Sequence, residues 1–323
     1  MTVRLSLLVL GTVACIHAET VRVESDADLA HAAALAADSC GEGRLRIDLA
    51  GREFVLPDTF RILRSNVHLR GTKGTRFVLA DGVEKPVIAI GVQDEVPREE
   101  QRIRRIRVSN IEIDGNKSGQ SSETGREQPW IRNNGIDVRM TSDLVVEKVR
   151  SNRNRSGGLV ISWKSRDVVV RDSAFDDNFF DGVAYYDSRN VRTINCSMTG
   201  NDSAGISLDN DFADSVFTRC RLVGNGDVGI FARHSHALRF DRCAIEGSGD
   251  WGAFLAHDDS NLGVHDIRFT HCTFVHNDGG IRLASVSEEQ SSGVQIRACV
   301  FQGNGPRPDV DSAGSRVQVI PAR

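Results

Sequence analysis

The chain has 323 residues, 40% hydrophobic and 26% charged, long enough to bury a core and neither low-complexity nor disordered in composition. With 40 Lys+Arg against 44 Asp+Glu the formal net charge is -4, which argues against a nucleic-acid partner. Aromatics make up only 6% while glycines number 30, a balance that excludes a helix bundle and points to turns and β-structure.

The first residues, Met1-Thr2-Val3-Arg4, an apolar run over 5–14 and then Cys15-Ile16-His17-Ala18, have the three regions of a secretory signal, with cleavage expected after Ala18. The apolar run is about half of the roughly 20 residues a membrane span needs. Cys15 invites a lipoprotein reading, but Thr12 stands three residues before it, where lipoboxes favour leucine. Residues 1–18 are thus expected to be a signal peptide and 19–323 one domain, periplasmic or extracellular.

Residues 26–39, DADLAHAAALAADS, predict a short amphipathic helix opened by an aspartate or serine cap. It would cover the open end of the repeat that follows. Short alternating strands then begin with LRIDLAGREFVL, NVHLRG and RIRVSNIEIDGN.

From Gly135 onward a Gly-led strand recurs: GIDVR at Gly135, GLVIS at Gly158, GVAYY at Gly182, GISLD at Gly205, GIFAR at Gly229, GAFLA at Gly252 and GIRLA at Gly280. The intervals are 23, 24, 23, 24, 23 and 28 residues. Two further short strands follow each one, such as Leu144 and Val146, then Cys196 with Met198 in a later unit. Three strands in roughly 23 residues make one turn of a parallel β-solenoid.

Cys196, Cys220, Cys243, Cys272 and Cys299 keep the same pace. Stacked about 4.8 Å apart with parallel Cβ vectors, they predict a buried thiol ladder rather than disulfides. Asn154, Asn178, Asn201, Asn225, Asn277 and Asn304 mark a corner, with Ser248 as the exception, and read as a structural amide ladder. The tail, residues 293–319, closes the stack.

This set of features resembles the right-handed parallel β-helix proteins of the pectin-lyase-like superfamily, over residues 26 to about 319. The resemblance rests on the capping helix, on Ile113-Asp114-Gly115-Asn116 and on the Asn and Gly-Ile signatures of each coil. It implies an all-β, single-stranded right-handed parallel β-helix. Among its members are polysaccharide lyases, polygalacturonase-type hydrolases and uronate epimerases, while phage tailspikes and periplasmic copper-delivery proteins share the coil. The chain has Asn133-Asn134-Gly135-Ile136-Asp137, but neither the Asp-Asp nor the Gly-His-Gly that polygalacturonases carry on the following coils.

Inward side chains of such a coil are packing, so chemistry has to come from outward residues and the loops beside them. Positions two and four after each glycine point out, and positions five and six enter the turn. Lyase chemistry on a uronate needs a carboxylate neutraliser, a base for the C5 proton and an acid for the leaving oxygen. Arg233 and Lys164 are candidate neutralisers, His234 or His257 the base, and Tyr186 the acid or base once neighbouring cations lower its pKa. Asp187, Asp209 and Asp211 offer the carboxylate pair of a hydrolase instead. Asp209, Asp211 and Asp258 can alternatively hold Ca²⁺, the one cofactor these carboxylates suggest. Arg139 and Arg282 flank the coils as cations for an anionic chain, and Trp130 and Trp163 can stack on sugar rings. Trp130 lies on an excursion over 117–132, and two further loops, 260–263 and 286–292, lengthen turns on the same side.

The expected function is therefore an exported carbohydrate-active enzyme on an acidic polysaccharide, by β-elimination first. Hydrolysis, uronate epimerisation and non-catalytic carbohydrate binding are the alternatives. A solvated sheet face would also be polar, but the titratable groups crowd the central coils while Val160, Ala184 and Ala284 occupy neighbouring outward positions.

Overall fold

A computed structural model describes residues 18–125, 127–257, 262–284, 289–312 and 317–321. The expected signal segment lies outside these residues apart from Ala18, which opens the first strand, Ala18–Val23.

Alternation of apolar and polar residues in runs of three to seven dictates short strands with one face inward. The chain winds them into a coil with three parallel sheets, of twelve, ten and ten strands among the described residues. One turn reads Ile136–Arg139 on the third sheet, Thr141–Glu147 on the first and Arg150–Asn152 on the second. The next turn repeats the order with Leu159–Ser162, Arg166–Arg171 and Ala174–Asp176, each paired in parallel with its predecessor. Among the described residues every strand but the first and last of each sheet hydrogen-bonds to the coil before and the coil after, so the edges lie at the two ends of the stack.

The helix Asp26–Ala37 lies against the first strands of two sheets. Ser25 caps it: its hydroxyl accepts from Asp28 N, and the Asp28 carboxylate accepts from Ser25 N at 3.0 Å. Leu29, Ala32 and Ala36 face the core.

The interior is a single apolar column running from Val23 to Ile296. Phe217, Phe240 and Phe269 stack ring on ring at 4.7 and 4.8 Å, which is the coil spacing itself. The cysteines are reduced, with Cys196, Cys220, Cys243 and Cys272 buried in this column and Cys299 at its half-buried end. The asparagine corner is bonded as the spacing predicts. Asn154, Asn178 and Asn201 each pass a side-chain N–H to the next asparagine, at 2.6, 2.8 and 2.9 Å. At Ser248 only the backbone N–H reaches Asn277. The leading glycine of each unit stands against this ladder: a Cβ on Gly182 would meet Gly205 O at 2.7 Å and Asn201 Nδ2 at 2.8 Å. Asn201→Ala strands the Asn178 amide and the Phe175 carbonyl in a dry corner, and is expected to cost about 2–4 kcal/mol, read as a lowered denaturant midpoint.

The corners require left-handed backbone, where Asn, Asp and Gly are favoured. Met140, Trp163, Asp187, Asn210 and His234 occupy it just past the third sheet, and Lys148, Asp172, Asn195 and Arg219 just past the first. Part of the acidic crowding seen in the sequence, at Asp187 and Asp211, therefore has a backbone cause.

Candidate functional site

The third sheet carries the Gly-led strands, and its outer surface holds a cleft of about 490 Å³. Register sets its floor. Asp137, Val160, Ala184 and Ser207 form one outward row, and Arg139 pairs with Ser162 in the next row, where Tyr186 pairs with Asp209. The corner residues Trp163, Asp187, Asp211 and His234 form one wall, and Trp130 with Arg132 forms the other.

The wall that carries Trp130 is held from beneath. Glu84, buried and in left-handed backbone, accepts from Ser121 N at 2.6 Å, Ser121 Oγ at 2.7 Å, Ser122 N at 2.9 Å and Asn133 Nδ2 at 3.0 Å. Trp130 donates its indole N–H to Gln93 O at 3.0 Å. Glu84→Ala is expected to open the 117–132 excursion to trypsin at Lys117 and Arg132 under native conditions, whereas the parent chain resists; gel analysis of a time course reads the difference.

Asp137 is a strongly perturbed carboxylate of the cleft lining. Asn134 donates to its Oδ2 at 2.8 Å and the Arg139 charge favours ionisation, yet loss of water outweighs both and pushes its pKa up to about 6. Arg139 is buried too, donating to Asp94 O at 2.6 Å, with its guanidinium 5.3 Å from the Trp163 ring centre. Burial also raises Asp187, against the pull of Lys164.

Tyr186 lies with its hydroxyl 3.4 Å from Ser207 Oγ. The sequence reading expected cations to lower its pKa; burial, reinforced by the nearby Asp181 and Asp209 charges, pushes it up instead. Asp181 was not singled out from sequence. It is buried, its Oδ1 accepts from Ala204 N at 3.0 Å, its Oδ2 has no partner, and desolvation raises it to about 7. A signal existed: most other coils place Gly, Ala, Val or Trp before the leading glycine, while Asn134 and Asp181 are polar.

The cleft thus gathers Trp130, Arg139, Trp163, Tyr186, Asp187, Asp211 and His234 of the expected residues. Others fall outside it. Asp209 and Arg233 bond one another across adjacent coils, Arg233 Nε reaching Asp209 Oδ2 at 3.0 Å. His257 Nδ1 bonds the Ala284 carbonyl. Arg282 lies 5.8 Å from the centres of both the Trp251 and Phe254 rings, several coils on. Lys164 is exposed at the corner and does not line the cleft. Asp258 lies outside the described residues, as do residues 260, 261 and 286–288 of the two expected loops.

The fold is a right-handed parallel β-helix with a walled polar cleft on one face. The model of the family described as periplasmic copper-binding protein (NosD) matches residues 109–304, and the chain belongs to that family. No match was found among curated proteins. Among solved structures, the ORF18 protein of Geobacillus virus E2 is similar with a TM-score of 0.68 at 14% identity, over 90% of this chain and 59% of that one. This chain therefore spans little more than half of that protein. The A-module of mannuronan C-5 epimerase AlgE4 of Azotobacter vinelandii is similar with a TM-score of 0.52 at 14% identity, over 90% of this chain and 95% of that one. An N-terminal fragment of bacteriophage phi29 gene product 12 gives 0.55 at 11% identity, over 85% and 60%. At these identities the likeness is one of fold.

The family name raises the question of copper. Among the described residues no three His, Cys, Asp or Glu side chains come together as ligands. The stacked cysteines are the softest donors, but burial pushes the Cys196 thiol up to about 12, and its Sγ donates to Ile194 O at 3.3 Å. The described residues do not fit a resident copper ion. Nor do Asp209 and Asp211 make the expected Ca²⁺ cluster among them, since Asp209 is committed to Arg233.

Proposed function

We propose that the chain is an exported carbohydrate-active β-helix protein whose cleft takes an acidic sugar polymer and removes the C5 proton of a uronate, with β-elimination as the outcome. The observation that carries this reading is Asp137: a buried carboxylate with a pKa of about 6 on the cleft floor, beside a buried arginine. That value leaves it ionised at neutral pH and still basic enough to accept a proton.

Arg139 offers donors beyond the two that hold Asp94 and Glu95, and would meet the uronate carboxylate, so that the charge developing at C5 is stabilised. Trp130 and Trp163 flank the ring. In the elimination, the C5–H pair becomes the C4=C5 double bond, the proton passes to Asp137, and the C4–O bond breaks. Tyr186, which burial keeps protonated, donates to the departing alkoxide.

The fold shared with a mannuronan C-5 epimerase module supports a second reading, in which the proton returns to the opposite face of C5 without cleavage. Incubation with alginate, polygalacturonate and glycosaminoglycans separates them: ultraviolet-absorbing unsaturated ends for elimination, an altered uronate ratio without cleavage for epimerisation, saturated reducing ends for hydrolysis. If none of the polymers changes, the catalytic reading fails. For an active polymer, kcat/KM is expected to rise through about pH 6 as Asp137 ionises and to level off above it.

A further inference from the structure

The first sheet, on another face of the coil from the cleft, carries one outward row that can be followed without a break by strand register. It runs Thr20, Arg46, His68, Arg107, Val145, Val169, Arg192, Val216, Arg239, Arg268, Gln295 and Gln318. All twelve positions are described, and none is acidic. A chain with net charge -4 has placed five arginines, one histidine and no lysine on this line.

The N-terminal part of the row is neutralised within the molecule: Arg46 pairs with Asp48 at 2.9 Å, and Arg107 with Glu147. The C-terminal part is not. Arg192 and Arg239 are exposed, and with Arg268 they have no ion pair among the described residues; Arg268 Nε reaches only Gln295 Oε1, at 3.1 Å. Arg239 and Arg268 are direct partners on neighbouring strands, and His236 and His265 are partners beside them. Like charges side by side on a sheet cost stability. A solvated face could have avoided that with serine or threonine, as the next outward row does at Thr218 and Thr270.

We propose that this row, centred on Arg192, Arg239 and Arg268, is a second binding track for a linear anionic polysaccharide, whose carboxylate or sulfate groups the guanidinium forks take one after another. The spacing is about 4.8 Å between adjacent coils and about 10 Å from Arg192 to Arg239, so the charges form a line rather than a patch. Asp167, Asp214 and Asp266 stand on alternate coils alongside, with Asn190 and Ala237 between them, which suits a single chain laid along the arginines and opposes a planar anionic surface. Arginine rather than lysine fits planar, bidentate recognition of such groups. The neutral members nearest these arginines are Val169 and Val216 beside Arg192 and Arg239 and Gln295 beside Arg268, none of which offers an aromatic face for stacking bases, so nucleic acid is the poorer match. The track does not depend on any chemistry in the cleft.

The test is salt elution of the full chain from agarose coupled to alginate, to dextran sulfate and to neutral dextran, with duplex DNA and phosphatidylglycerol vesicles as competing surfaces. The parent chain is expected to be held by alginate or dextran sulfate and not by neutral dextran; which of the two holds it more tightly tells carboxylate from sulfate. An Arg192→Gln, Arg239→Gln, Arg268→Gln triple variant, checked for a melting temperature no lower than the parent's, is expected to bind roughly tenfold more weakly or worse. Arg150→Gln with Arg221→Gln, on the second sheet, is expected to bind as the parent does. Three results overturn the track: no retention of the parent chain, retention kept in the triple variant or lost equally in the second-sheet control, or tighter binding to DNA or vesicles than to either polysaccharide.

Discussion

Asp137→Asn is expected to lower turnover of the active uronate polymer about 10²–10⁴-fold, the range lost when a general base is removed, with the fold intact. The substitution is nearly isosteric. Asn134 donates to Asp137 Oδ2, and an amide oxygen can accept the same bond. Arg139 is independently held by the Asp94 and Glu95 carbonyls, so it does not need the Asp137 charge to stay in place. What disappears is the one group on the cleft floor that takes a proton near pH 6. Initial rates of the two forms at pH 7.5 measure the effect, with His234→Ala alongside. If Asp137→Asn stays within tenfold of the parent while His234→Ala collapses, the base is the corner histidine, as the sequence alone had offered.

The coil was legible because its physics repeats. A leading glycine lies against the asparagine ladder, each cysteine faces the core at the same phase, and every outward residue has a numbered place on its row. The same register gives the site in part: Arg139 and Tyr186 stand at position four, where the spacing puts them. Two kinds of information were missing. One is cover by distant chain, since nothing near Arg139 in sequence announces that Asp94 and Glu95, some 45 residues earlier, will sit over it. The other is partnership between coils. Asp209 and Arg233 read as two catalytic candidates when taken one at a time, but they hold the same position on successive coils, so a reading by column would have paired them. Asp187 and Asp211 had a third source, the demand of a tight corner for left-handed backbone, which concentrates acids without any reference to substrate.

Buried acids with raised pKa values leave a second mark, on stability. Asp137 at about 6 and Asp181 at about 7 both bind a proton more tightly in the folded chain than at the ordinary aspartate value of 3.8. The folded state therefore holds more protons than the unfolded one between pH 4 and 7, and stability falls as pH rises through that window. Each group is expected to cost on the order of 3 kcal/mol once fully ionised. The groups facing them set the sign: Arg139, Asn134 and Gln93 at Asp137, and Ala204 N, Ser203 and Arg132 at Asp181, fail to replace the lost water, and the Asp227 charge raises Asp181 further. Carboxylates that the fold holds low, such as Glu99 beside Arg102 at about 2, act in the opposite direction only below the ordinary carboxylate range. Melting temperature should accordingly peak near pH 5 and decline toward pH 8. In an Asp137→Asn, Asp181→Asn double variant the decline should flatten and stability at pH 8 should rise, since Ala204 N keeps an acceptor and no buried charge remains to be desolvated. A parent chain equally stable at pH 5 and pH 8, by calorimetry or urea titration, would mean that water reaches both carboxylates, and the acid–base role given to Asp137 would lose its physical basis.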